Sequence, residues 1–292
     1  MELYLQTSAK VCFFIFSIGI VLRDFIYFIF FSEKIEPVTY ACINVGVLFF
    51  IPLIFSFVRP IKMVKRISSI GIYEYIIVVI LGLLCAYIYT YFWILKELTP
   101  GLFNIIDYGA TPILTGIFGI IIFKEYIGIN VLLLYPIYII GLSLLVSAEA
   151  VNVKLMLVSL TFPLATSVSD VLVKKLMSLN DFWISDRILF IRFAIAFPFL
   201  FFYSLGHITI IEWDYFLYGV IAAILFGYFP MKFLVIGIRI GKMSDLAMYE
   251  MLIPLLSFLG SIPYLWHTLT MEALVVCVFL LSFIGLNLLI RE

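Results

Sequence analysis

The sequence predicts an all-α integral membrane protein, with ten transmembrane helices arranged as two inverted five-helix repeats. Composition, a regular succession of apolar runs and a proline-centred pattern occurring once in each half predict it. Of 292 residues, 65% are hydrophobic and 12% charged, against about 45–50% and about 25% in soluble domains. A water-soluble fold cannot hide so much Ile, Leu, Val and Phe, so the surplus faces lipid. Net charge is zero and no basic tract is present, which argues against a nucleic-acid partner.

A membrane helix needs about 20 mostly apolar residues to cross about 30 Å of hydrocarbon. Ten segments qualify, roughly 11–31, 37–58, 74–95, 100–123, 129–148, 153–176, 183–204, 215–238, 243–266 and 271–290. Short polar connections separate them and make successive spans antiparallel neighbours. No loop has room for a soluble domain or a nucleotide site. The first run is long enough to span and no small-residue cleavage site follows it, so it reads as a helix and not a signal peptide.

Lys and Arg in the loops set the orientation. With a cytoplasmic N-terminus, Lys10, Arg59, Lys62, Lys65, Arg66, Lys124, Lys174, Lys175, Arg187, Arg239, Lys242 and Arg291 fall inside, against Lys34, Lys96 and Lys154 outside. Both termini are therefore expected in the cytoplasm, which an even number of crossings satisfies. The short loops and the Ile/Phe/Lys-rich style suggest a prokaryotic inner membrane. Cys12, Cys42, Cys85 and Cys277 all lie in apolar runs without metal or redox spacing, and read as packing residues.

The fourth span contains Asp107-Tyr-Gly-Ala-Thr-Pro112 and runs on to Phe123-Lys124-Glu125. The ninth contains Tyr249-Glu250-Met-Leu-Ile-Pro254 and runs on to Trp266-His267. Thirteen positions separate Pro112 from Glu125, and Pro254 from His267. An acid precedes each proline by about one helical turn. Earlier, Pro37 precedes Asn44 in the second span as Trp183 precedes Arg192 in the seventh. The halves are then 1–150 and 151–292, each with five spans, and an odd number inverts the second copy. Inverted repeats are frequent in secondary transporters, whose substrate site lies where the halves meet.

On these residues, with Gly141 and the Pro163-to-Lys174 stretch, the chain resembles the drug/metabolite transporter superfamily in its ten-helix EamA-type branch. Two positions depart from the family pattern: His267 stands where a Glu is expected, and Asn44 where an Arg is common. The resemblance implies a carrier without an ATP-driven motor, and no phosphate-cradling Gly-Lys-Ser/Thr loop is present.

An ionisable side chain near the bilayer centre costs about 2.5–3.5 kcal/mol on insertion scales. Seven fall in or near span interiors: Arg23, Asp24, Asp107, Asp170, Arg192, Lys232 and Glu250. Internal pairing neutralises most and leaves one acid over. Asp107 and Glu250 are the candidates for substrate binding and proton coupling, because a proline one turn on frees a backbone carbonyl and kinks the helix. An acid beside exposed carbonyls suits a cation, a proton or an ammonium group. The alternative is a static pair, such as Glu250 with Arg192 or Lys232. Arg23, beside Asp24, can instead snorkel toward an interface. Glu125 and His267 end their helices at the water boundary, where they serve loop or neighbouring backbone groups. His207 falls in an exterior loop.

Among the deeper aromatic residues, Tyr87 and Tyr91 are four apart and should share a helix face. With Tyr108, Tyr249 and the acids they could hold an organic cation or an amino acid by cation–π and charge contacts. The candidate substrate-binding residues are thus Asp107, Glu250, Tyr108, Tyr249, Asp170, Arg192, Asn44, Tyr87 and Tyr91. Thr115-x-x-x-Gly119 and Gly237-x-x-x-Gly241 predict close helix crossings.

The reading is a secondary transporter moving a small polar metabolite by alternating access, without cofactor or metal, as a monomer or homodimer in the lipid bilayer. The central cavity is expected between all spans but the fifth and tenth. A flippase for a lipid-linked molecule would share the fold. A non-transporting subunit would want longer loops. An intramembrane enzyme is disfavoured, since the two histidines fall near span ends and no metal or catalytic pair is apparent.

Overall fold

The computed structural model describes residues 2–58, 71–125, 152–180, 183–206 and 212–265, with isolated helical positions at 140, 271, 275, 278, 279 and 282. Eight helices among them are long and apolar enough to cross a membrane: α1 (Thr7–Phe31), α2 (Pro37–Ile54), α3 (Ile72–Glu97), α4 (Pro100–Phe123), α5 (Val153–Leu179), α6 (Ser185–Leu205), α7 (Trp213–Ile240) and α8 (Met243–Tyr264). The chain is a multi-pass helical membrane protein. These helices are the first four and the sixth to ninth predicted spans, with ends within a few residues of expectation. The fifth and tenth, 129–148 and 271–290, lie outside the described residues apart from the isolated positions. His207, His267 and Cys277 lie outside them too.

In hydrocarbon every backbone group must be satisfied within the protein, which leaves the helix as the natural form for these runs. Local sequence marks their ends. Thr99 accepts from Leu102 N at the start of α4, with Pro100 in the first turn. Asn152 accepts from Lys154 N at the start of α5. Lys124 closes α4 in the left-handed conformation, φ 55°. Each helix carries large apolar side chains that remain exposed, such as Phe14, Phe50, Ile80, Ile121, Leu157, Phe202, Leu225 and Leu259. The opposite faces bury Ser, Thr, Asn and charged groups.

The main packing pairs are α1 with α7 and α8, α2 with α6 and α7, α3 with α5 and α6, and α4 with α5 and α8. Their directions follow from named contacts. Gly19 lies against Pro230, and Gly237 against Phe13, so α1 and α7 are antiparallel. Phe13 meets Tyr249 and Phe28 meets Tyr264, so α1 and α8 are parallel. Phe103 meets Phe162 and Thr115 meets Ser167, so α4 and α5 are parallel. Gly101 packs on Ser261 and Gly119 on Met243, so α4 and α8 are antiparallel.

Glycine permits the closest of these approaches. A Cβ at Gly19 would stand 2.1 Å from Pro230 Cγ, and one at Gly237 2.5 Å from the Phe13 ring. The Gly237-x-x-x-Gly241 pair therefore serves the α1·α7 crossing, where the missing side chains let backbones approach.

Candidate functional site

Six Arg, Asp and Glu side chains are fully or almost fully buried among the described residues: Arg23, Asp24, Asp107, Asp170, Arg192 and Glu250. Most of them surround one cavity of about 40 Å³, with room for about three waters. Arg23, Tyr89, Tyr91, Asp107, Tyr108, Thr166, Ser169, Asp170 and Arg192 give it a polar wall, and Phe16, Ile20, Ile88, Phe162, Met231 and Leu234 an apolar one. The wall comes from α1, α3, α4, α5, α6 and α7. Neither α2 nor α8 contributes to it directly.

On one side the charges are fully engaged. Asp24 accepts from Arg23 Nε at 3.2 Å, Tyr91 Oη at 2.8 Å and Asn104 Nδ2 at 3.0 Å. Asn104 also donates to Ser257 Oγ at 2.8 Å. The hub thus links α1, α3, α4 and α8. The Arg23 guanidinium lies 5.0 Å from the centre of the Tyr91 ring, with Tyr89 and Phe92 close by. Arg23 does not snorkel. Its side chain is 6% exposed, because the aromatic faces and Asp24 supply inside the bundle what an interface would supply outside.

On the other side the charges are only partly engaged. Arg192 donates through Nε to Cys85 Sγ at 2.9 Å and through Nη2 to Ser169 Oγ at 3.0 Å, while Nη1 has no partner among the described residues. Asp170 Oδ2 also lacks one. Glu250 is 0% exposed with both carboxyl oxygens unpartnered, and its charge reaches Asp170 and Asp107. Buried polar atoms without partners are costly, and each wants a function.

Asp107, Tyr108, Asp170, Arg192 and Tyr91 therefore meet at one cavity, with Glu250 behind it. Three other candidates do not line it. Asn44 is buried in α2 and donates to Tyr40 O at 3.1 Å. Tyr249 sits beside Phe13, its carbonyl accepting from Ser17 Oγ at 2.8 Å. Tyr87 is 39% exposed, bonded to Thr161 and stacked on Phe162. Tyr87 and Tyr91 do not share a face as their spacing predicts. A 3₁₀ turn at Tyr89–Tyr91 advances the chain about 120° per residue, against about 100° in an α-helix. That extra rotation carries Tyr91 inward.

Lys232 also departs from expectation. It pairs with Asp186 at 3.1 Å, the two side chains 34% and 53% exposed, and so leaves the buried set. Neither Lys232 nor Arg192 pairs with Glu250, whose oxygens have no partner among the described residues. Glu125 serves neighbouring groups, as its position at a helix end predicts: it accepts from Ser244 N at 3.3 Å and pairs with Lys174. The Asn104–Ser257 link and the Ser169 contact to Arg192 escaped the sequence reading, because small polar residues carry no distinctive pattern in apolar runs.

No family model and no curated protein matches the chain. One crystal structure of a protein aligns with a TM-score of 0.66 at 14% identity, over 95% of this chain and 97% of that one. At that identity the likeness bears on the fold alone.

Proposed function

We propose that the chain is a secondary transporter of the drug/metabolite type, moving a small polar metabolite, amino acid-like or an organic cation, by alternating access. The observation that carries this reading is the polar cavity enclosed by helices from both halves, whose wall holds Arg192 and Asp170, each with a buried polar atom that has no partner among the described residues. A ligand with both donors and acceptors would satisfy them. A cavity of about 40 Å³ holds waters or a small ion, so a larger cargo requires the helices to part. The function is transport without catalysis, in a cell membrane with both termini cytoplasmic.

The packing supports an inverted repeat. Exchanging α1–α4 with α5–α8 leaves the main pairings unchanged: α1·α7 becomes α5·α3, α2·α7 becomes α6·α3, and α4·α5 becomes α8·α1. The α4·α8 crossing runs from Gly101·Ser261 to Gly119·Met243. Its midpoint falls at Ala110 and Leu252, each two residues before its proline. One crossing within 126–151 would complete the inversion.

Purified protein screened for thermal stabilisation by amino acids and organic cations identifies the cargo class, since a binder shifts stability by its affinity. Uptake into proteoliposomes under an imposed pH gradient then tests coupling through Asp107 and Glu250. Coupling is excluded if Asp107→Asn and Glu250→Gln both leave gradient-driven uptake untouched.

A further inference from the structure

Two polar clusters close the bundle on either side of the cavity. The first is the Asp24 hub. Arg23 and Asp24 stand near the end of α1, Tyr91 near the end of α3, Asn104 in the first turns of α4 and Ser257 in the second half of α8. All four places lie toward the same face, because α1 and α8 are parallel and α4 crosses α8 antiparallel. The second cluster lies at the opposite face. Glu125, just past the end of α4, pairs with Lys174 of α5 and accepts from the backbone N–H of Ser244 at the start of α8. Lys174 also donates to Gly241 O, which follows α7, at 3.3 Å.

The helices involved are α1, α3, α4 and α8 in the first cluster, and α5, α7, α8 and α4 in the second. Exchanging the halves converts one set into the other. The bonding logic matches as well: in each, one carboxylate gathers donors from separate helices. Asp24 gathers a guanidinium, a phenol and an amide. Glu125 gathers an ammonium and a helix N-terminal N–H. Such charge-assisted bonds are the strong ones, and both sets sit where helices would have to separate to expose the cavity.

We propose that these are paired latches, the Glu125–Lys174–Ser244 cluster closing one face of the cavity and the Asp24–Tyr91–Asn104–Ser257 cluster the other, both engaged in this occluded arrangement. The inference rests on the carrier reading and adds to it the contacts that must break in turn. Release of either latch biases the protein toward opening at that face, since a two-state equilibrium shifts by the differential interaction lost.

The test places a reporter thiol in the cavity wall: Thr166→Cys, with Cys12, Cys42 and Cys277 changed to Ala and Cys85 to Ser. A membrane-impermeant maleimide is applied to right-side-out and inside-out vesicles. With both latches intact, labelling is slow from either face. Glu125→Gln and Lys174→Gln each raise the rate about ten-fold or more from the face at the end of α4. Tyr91→Phe and Ser257→Ala raise it from the opposite face. Tyr91→Phe removes one bond and leaves the buried ion pair whole, so this arm survives if stronger variants fail to fold. Unchanged labelling in folded variants, or equal increases from both faces, overturns the proposal. Failure of the carrier reading shows separately, as absence of cargo-dependent stabilisation and uptake in a protein whose sided labelling still responds.

Discussion

Helices α4 and α8 cross each other and carry the same proline at the same place, yet one is continuous and the other is broken. α4 runs unbroken from Pro100 to Phe123 through Pro112. α8 is two helical segments, Met243–Glu250 and Leu252–Leu265, separated at Met251. Each proline lacks the N–H that would bond the carbonyl four residues earlier, Tyr108 O in α4 and Glu250 O in α8. In α4 the carbonyl beside it, Asp107 O, accepts from a hydroxyl of the same helix, Thr111 Oγ1, at 2.9 Å. In α8 the residue before the proline is Ile253, which has no hydroxyl, and the corresponding carbonyl, Tyr249 O, accepts from outside the helix, from Ser17 Oγ of α1.

Aligning the prolines also refines the pairing of the acids. Asp107 then matches Tyr249, and Tyr108 matches Glu250, so the acid and the tyrosine exchange places between the helices. Asp107 lines the cavity and stands 3.4 Å from the Thr111 hydroxyl. Glu250 ends the first segment of α8, and its oxygens have no partner among the described residues. One proline pattern thus yields a hydrogen-bonded acid on a continuous helix and an unpartnered acid where two helical segments meet.

The largest expected effect breaks this contrast at the acids. Glu250→Leu removes a buried group without partners and should raise stability by about 3 kcal/mol, read as a higher apparent Tm in detergent, while abolishing cargo-dependent stabilisation. Asp107→Leu should not stabilise to that extent; equal gains would show that the two acids stand alike. At the helix crossing, Gly101→Ala should cost about 1–3 kcal/mol, because its Cβ would stand 2.8 Å from Ser261 Cβ and 3.2 Å from Phe258 Cα. Gly119→Ala, at 3.4 Å from Met243 Cβ, should change stability by less than about 0.5 kcal/mol. Thermal unfolding of the two variants side by side checks the asymmetry.

Smaller effects probe the turns. Ser17→Ala should lower stability by about 0.6–1.7 kcal/mol, the range for hydrogen bonds between membrane helices, and should increase hydrogen exchange at residues 249–253. Thr111→Val should cost about 0.5 kcal/mol or less and leave α4 protected, since the helix continues on both sides of Pro112. Comparable exchange in the two variants would remove the distinction between internal and external support.

The sequence by itself determined where the eight described spans lie and which of their residues are ionisable, because hydropathy is a local property and a bilayer imposes a length on each apolar run. It also held the paired prolines at Pro112 and Pro254. Tertiary structure alone decided which charges remain in the core: Lys232 leaves it for Asp186, and Arg23 stays under aromatic rings. It decided that Tyr91 turns inward while Tyr87 does not, and that Glu125 reaches Ser244 across the helix ends. These outcomes depend on helix rotation and on partners up to 119 positions away in the chain, which no local pattern of apolar and polar residues encodes.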